Sequence, residues 1–238
     1  IAIFNDFPNE LIKKQKIIAT KLMEVIPSIK VVSKKKGIYS GKLRTPKIEI
    51  IAGEKRKTTK HTESGCKFSL NIEKCYFSTR SQNERLRISK KVKKEETILV
   101  LFSGISPLPC IISKKTKAKQ IYAIELNKMS HKFAKENIQL NKVSNVVLYQ
   151  GDVKKVVPNI RKRFDRIIMP LPKSAETYLD LALKKLNQKG TIHLYLFANE
   201  KDFKNIKKEY KKQFSSVKLT KAGNFGPGVF RICLDLKK

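Results

Sequence analysis

The apolar positions are densest between Thr97 and Asp152, and their spacing sets the architecture. An apolar run, Thr97–Phe102, breaks at Ser103-Gly104, and apolar residues resume over Leu108–Ile112. A second run, Gln120–Ile124, ends on Glu125, and a third, Val146–Tyr149, ends at Gly151-Asp152. Short apolar runs alternating with helical stretches predict βαβ units on a parallel sheet. Further along, Asp165–Met169 and Thr191–Phe197 read as a fourth and a fifth strand, with Ser174–Leu186 a helix between them. Lys201–Phe214 reads as a very basic helix. Val217–Thr220 and Val229–Leu234 then form an antiparallel pair around the loop Gly223-Asn224-Phe225-Gly226-Pro227-Gly228.

Upstream the pattern changes. Phe7-Pro8-Asn9-Glu10 opens a helix whose Leu11, Ile12, Ile17, Ile18, Leu22 and Ile26 hold one stripe, and Pro27 ends it. Short strands follow at Ile29–Val32, Lys47–Ala52 and Cys66–Ile72, with Lys34–Lys36 expected in a loop beside Gly37. This predicts a small α+β unit over residues 1–72 and an α/β unit over residues 73–238. Ser81 or Asn83 is the expected cap of a helix that carries Glu84 in its first turn and feeds the Thr97 strand. Asn127 is expected to cap a second helix, with Met129, Phe133, Asn137 and Leu140 turned inward.

In an open parallel sheet the ligand sits beyond the carboxyl ends of the strands. The turn after the first strand approaches it closely, and an acid about 20 residues on meets ribose hydroxyls. Gly104 and Glu125 fit those two roles, and Asp152 fits a contact to a purine amino group. The alternative is that Glu125 and Asp152 are solvated strand ends.

Charge sharpens the picture. The chain has 53 Lys+Arg against 20 Asp+Glu, a formal net charge of +33, spread as +10 over residues 1–72 and +23 over 73–238. That favours a polyanionic partner gripped by both halves, nucleic acid being the commonest; a Lys-rich compositional bias is the other reading. The four cysteines include no C-x-x-C pair and there are only three histidines, so no metal site is expected and reduced thiols are the default. No apolar run approaches the roughly 20 residues of a membrane span, and nothing reads as a signal peptide. A cytoplasmic, monomeric protein without a membrane partner is the expectation. The sequence begins with Ile1 rather than Met, so the native start is expected upstream.

The segments KLRTPKIEIIAGE, CYFSTRSQNERLRI, LFSGISP, YAIELN, IQLNKVSNV, GDV and RIIMPLP follow one another in an order that resembles the archaeal and eukaryotic tRNA guanine-N1 methyltransferases. Those enzymes act on the purine immediately 3′ of the anticodon. The resemblance runs from about Pro8 to the end. It implies a Rossmann-like class I methyltransferase sheet behind a small N-terminal α+β tRNA-recognition domain, with S-adenosylmethionine as cofactor and tRNA as partner. It also implies that Glu84 is the general base at guanine N1 and that Arg44 steadies charge developing on O6. Tyr76, Phe77, Ser78 and Arg80 are implied to line the cofactor and target pocket. Phe102, Gly104, Glu125, Leu126, Asp152, Val153 and Pro170 are implied to hold the cofactor itself.

Three departures stand out. The usual Gly-x-Gly reads Gly104-Ile105-Ser106, the acid usual in the first strand is Val100, and the family's Asn after the fourth strand is Pro170. Some archaeal relatives with Pro at that place also methylate carbon 7 of a tricyclic wyosine precursor (4-demethylwyosine), which keeps that second substrate open. Aminocarboxypropyl transfer from the same cofactor is a same-fold alternative. A non-catalytic RNA-binding protein on a decayed methyltransferase is a different-class one.

Overall fold

The computed structural model describes residues 1–40, 45–171 and 173–238. By contacts it divides into one unit of residues 1–61 and 69–77 and another of residues 62–68 and 78–238.

The first unit begins with β1 (Ala2–Phe4), a 3-10 segment Asn9–Lys14 and α1 (Gln15–Val25). β2 (Val31–Ser40) and β3 (Thr45–Gly53) complete a three-stranded sheet in the order β1-β2-β3, with β1 parallel to β2 and β3 antiparallel to it. The hairpin β4 (Thr58–Glu63) and β5 (Cys66–Asn71) follows in the chain, with its tip, residues 62–68, sorting with the second unit. Lys34–Lys36 is strand rather than loop, since Lys34 pairs with Glu49 and Lys36 with Lys47 in the β2–β3 ladder. Alternate lysines can leave such a ladder toward water without weakening it. β1 is only three residues long and β4 has no aliphatic or aromatic residue apart from its His61 ring, so neither shows as a run. The helix also starts a turn later than its apolar stripe suggests. Ala19 is buried whereas Ile17 and Val25 are exposed.

The second unit runs α2 (Gln82–Ser89), β6 (Thr97–Val100), α3 (Pro107–Lys115), β7 (Gln120–Glu125), α4 (Lys128–Leu140), β8 (Val146–Gln150) and α5 (Val153–Asn159). It continues with β9 (Phe164–Met169), α6 (Leu179–Lys185), β10 (Leu186–Asn199), α7 (Phe203–Lys211), β11 (Ser216–Gly226) and β12 (Val229–Lys237). Seven strands pair in the order β11-β12-β10-β9-β6-β7-β8. β10, β9, β6, β7 and β8 are parallel, β12 is antiparallel to β10, and β11 pairs antiparallel with β12 and closes one edge. Ile98, Leu99 and Val100 have no exposed surface, as a strand covered on both faces requires. One core packs Leu99, Tyr122, Ile167, Leu194 and Leu234 on one face of the sheet. The other packs Ile88 of α2 with Ile98, Val100, Ile168, Tyr195 and Cys233.

Asn127 caps α4 as its position predicts, accepting from the Met129 and Ser130 amides. The inward face of α4 is Ser130, Phe133, Ala134 and Asn137, and Leu140 is exposed. Ser81 does stand at the start of α2, but its hydroxyl accepts from Arg231 Nη1 at 2.8 Å instead of capping.

Candidate functional site

Three parallel strands deliver the first group of side chains to one edge. β6 ends at Val100, and the chain turns sharply through Phe102, Gly104 and Ser106, all with left-handed φ of 54°, 58° and 61°. Glycine adopts this region freely, while Phe and Ser do so at a cost. Ser106 is the residue where the usual motif has its second glycine, so the backbone keeps the glycine geometry although the side chain has changed. Such strain persists where surrounding structure enforces it, commonly at ligand sites.

Glu125 fastens this turn from the end of β7. Its Oε2 accepts from the Gly104 amide and its Oε1 from the Asn127 amide, each at 2.7 Å. Burial raises the Glu125 pKa, and the amides of Asn127, Gly104 and Leu126 oppose that. A carboxylate has about four acceptor positions, so with three amides on it about one remains for a hydroxyl donor. Beyond β8, the Gly151 amide donates to the Glu125 carbonyl at 2.9 Å. Asp152 caps α5 by accepting from the Lys154 amide at 2.8 Å. Val153 is buried, and Leu126 is 40% exposed.

Tyr178, which the sequence reading did not single out, belongs here as well. Its ring meets Phe102 edge-on at 5.0 Å, and burial, then the Asp152 charge, raises its phenol pKa. Its signal in the sequence is weak, because it lies in a short 3-10 turn, Ala175–Tyr178.

The second group lies on the face of β10 and β12 covered by α2. Continuing the β9–β10 register past Met169↔Leu194 brings Pro170 beside Tyr195. The Tyr195 hydroxyl donates to Glu84 Oε1 at 2.5 Å. Arg87 grips Glu84 through Nε and Nη2, both at 2.7 Å, and reaches Asp235 Oδ2 at 3.0 Å. Lys91 also pairs with Asp235 at 3.0 Å. His193 Nδ1 contacts Asp235 Oδ1 at 2.6 Å, and Arg166 Nη1 lies 2.6 Å from His193 Nε2. Burial opposes ionisation of Asp235, yet His193, Arg87 and Lys91 together hold its pKa well below the usual carboxylate range. Burial lowers the His193 pKa, with Asp235 working against it and Arg166 with it. The ring is thus neutral near pH 7 and structural, as its alternation in the strand suggests. His193, Cys233 and Asp235 converge within 4.8 Å. Both ring nitrogens are engaged and a guanidinium faces one of them, which is no setting for a metal ion.

Sheet spacing relates the two groups. Tyr195 on β10 and the Phe102 turn after β6 are separated by two strand intervals, about 10 Å, at one carboxyl edge. A polar cavity of about 580 Å³ opens toward the amino ends of the strands, among Lys91, Glu96, Arg166 and Lys189, and it reaches His193 and Asp235 of the second group from behind.

The remaining expected residues are placed as follows. Ser78 accepts from Arg85 Nη2 through its carbonyl at 3.0 Å, and Arg80 is exposed at the entry to α2. Tyr76 and Phe77 sort with the first unit, where Phe77 packs on His61 at 5.2 Å between ring centroids. Arg44 lies outside the described residues.

The crevice suits an adenosyl sulfonium. Gly104 presents no side chain, Glu125 retains acceptor capacity for a ribose hydroxyl, and the buried Ser103 and Ser106 hydroxyls have no hydrogen-bond partner among the described residues. Strand order, strained turn and acid at the β7 end together define a Rossmann-like nucleotide crevice, and likeness to known proteins narrows it to the S-adenosylmethionine-dependent methyltransferases. Residues 59–220 match the TRM5/TYW2 methyltransferase domain and residues 1–57 the TYW2 N-terminal domain, so the chain belongs to the TRM5/TYW2 methyltransferase family.

Among its relatives is tRNA (guanine(37)-N(1))-methyltransferase Trm5b of Pyrococcus abyssi, 34% identical, with 98% of this chain aligned to 71% of that one. The tRNA(Phe) (4-demethylwyosine(37)-C(7)) aminocarboxypropyltransferase of Methanocaldococcus jannaschii is 30% identical, over 83% of this chain and 82% of that one. The solved complex of aTrm5 with tRNALeu superposes with a TM-score of 0.86 at 31% identity, covering 99% of this chain and 68% of that one.

Proposed function

We propose that the protein transfers a methyl group from S-adenosylmethionine to N1 of the guanosine 3′ of the anticodon in tRNA. The observation that carries this reading is Glu84, a buried carboxylate fixed by Arg87 and Tyr195 at the same sheet edge as Gly104, Glu125 and Asp152. The cofactor, when bound, supplies an electrophilic methyl group. Everything else falls to the chain. Glu125 holds a ribose hydroxyl, Asp152 meets the adenine amino group, and the Phe102–Ser106 turn approaches the ligand closely. Guanine N1 carries a proton near neutral pH and is a poor nucleophile until that proton leaves. Glu84 Oε2, which accepts from Arg87 Nε and is the less engaged of the two oxygens, accepts it as general base. Arg44 is proposed to steady the negative charge on O6, and Tyr76, Phe77, Ser78 and Arg80 to line the target pocket. The positive charge over both halves favours the tRNA backbone.

Pro170 favours a second substrate. A proline offers the target base a ring face and a carbonyl where Asn would offer an amide, so it suits a tricyclic wyosine precursor methylated at carbon 7. Aminocarboxypropyl transfer stands as the competing reaction at the same site.

One experiment separates these readings. tRNA reacted with the protein and S-adenosylmethionine is digested, and the modified nucleoside is identified by mass spectrometry. A gain of one methyl on guanosine supports the proposal. An aminocarboxypropyl gain, or no gain with any tRNA, overturns it.

A further inference from the structure

The β11–β12 hairpin ends in an aromatic ring that the fold leaves uncovered. Phe225 is 66% exposed, and it rests on Phe197 with ring centroids 4.1 Å apart and planes tilted by 36°. Phe197 follows Tyr195 by two residues on β10, so both side chains leave the same face of the sheet, about 7 Å apart along the strand. Tyr195 is the residue that binds Glu84. The β10–β12 register sets Arg231 opposite Phe197. The Arg231 guanidinium covers the Tyr195 ring at 4.6 Å, and its buried Nε has no hydrogen-bond partner among the described residues. An exposed ring, a second ring beneath it and a guanidinium with a spare donor therefore sit beside the carboxylate proposed as general base.

Such an arrangement matches the chemistry of an unpaired nucleobase. Aromatic faces take bases of any identity by stacking, and nearby cations serve the backbone. An enzyme that works on a base inside RNA must first extrude it, which strips its neighbours of a stacking partner. We propose that Phe225, seated on Phe197, is the stacking platform for a nucleobase flanking the one Glu84 acts on. This rests on the RNA-methylation reading above and adds where the rest of the loop is held.

The test uses the full chain and an anticodon stem-loop with 2-aminopurine replacing, in turn, each base that flanks the target. Stacking on a ring quenches this probe. The wild type should quench it at one flank, and Phe225→Trp should keep the quenching. Phe225→Ala and Phe225→Leu should lose it and weaken RNA binding by about 5- to 100-fold, with cofactor affinity and Tm unchanged. Equal quenching and affinity in Phe225→Ala would overturn the platform. So would a Phe225→Leu variant that binds like the wild type, since apolar cover alone would then suffice. A wild type that quenches the probe yet methylates no RNA would support the platform while sinking the methyl-transfer reading.

Discussion

Tyr195 and Glu84 lie 111 positions apart in sequence and are joined by a 2.5 Å hydrogen bond, the phenol donating to Oε1. This bond, with the two from Arg87, fixes the carboxylate rotamer and leaves Oε2 the freer oxygen. Glu84→Gln should bind S-adenosylmethionine normally and lose about 10²-fold or more in turnover. Single-turnover methylation together with calorimetry checks both halves of that statement. Near-normal turnover would remove Glu84 from the base role.

Arg87 neutralises two buried acids at once, Glu84 and Asp235. Removing one partner of a buried ion pair leaves uncompensated charge and typically costs about 3–5 kcal/mol. Arg87→Ala is therefore expected to destabilise the second unit by that order in urea denaturation. A loss below about 1 kcal/mol would show that water, not Arg87, satisfies the two carboxylates.

Ser106 occupies a left-handed conformation, fully buried, with an unpartnered hydroxyl. Glycine removes the steric cost, about 1–2 kcal/mol, and returns part of it as chain entropy, about 0.5–1 kcal/mol. Ser106→Gly should raise Tm by a few degrees. Ser106→Val, with a branched side chain in the same conformation, should lower it.

His193 has a depressed pKa in the folded protein, so its contribution to stability is complete above about pH 6.5, the unfolded value, and declines as pH falls and the unfolded chain takes up a proton. Asp235, also depressed, adds a loss at still lower pH. Denaturation midpoints should fall between pH 7 and pH 5, and His193→Gln should flatten that slope. A slope identical in the variant would place the acid sensitivity elsewhere.

With +33 formal charges distributed over both halves, affinity for tRNA should fall steeply between 50 and 200 mM salt, by about 10³-fold if six or more phosphates are neutralised. Filter binding across that range measures it. A flat response would argue against a phosphate-led grip.

The parallel sheet was legible in the sequence because a strand buried on both faces must be apolar throughout, and a chain turning back at its carboxyl end must break that run. Thr97–Phe102, Gln120–Ile124 and Val146–Tyr149 therefore announce themselves, and with them Gly104, Glu125 and Asp152. Asn127 as a cap was legible for the same local reason. β1, only three residues long, and β4, which is polar throughout, left no such mark, and neither did the strand character of Lys34–Lys36. Local pattern also reveals nothing about partners far apart in the chain. Only the folded sheet sets Tyr195, Arg87 and Asp235 around Glu84, seats Phe225 on Phe197, and holds Ser106 in a glycine's conformation. Those relations depend on strand register and helix docking, which bring distant residues to one edge, and no short stretch of the chain encodes them.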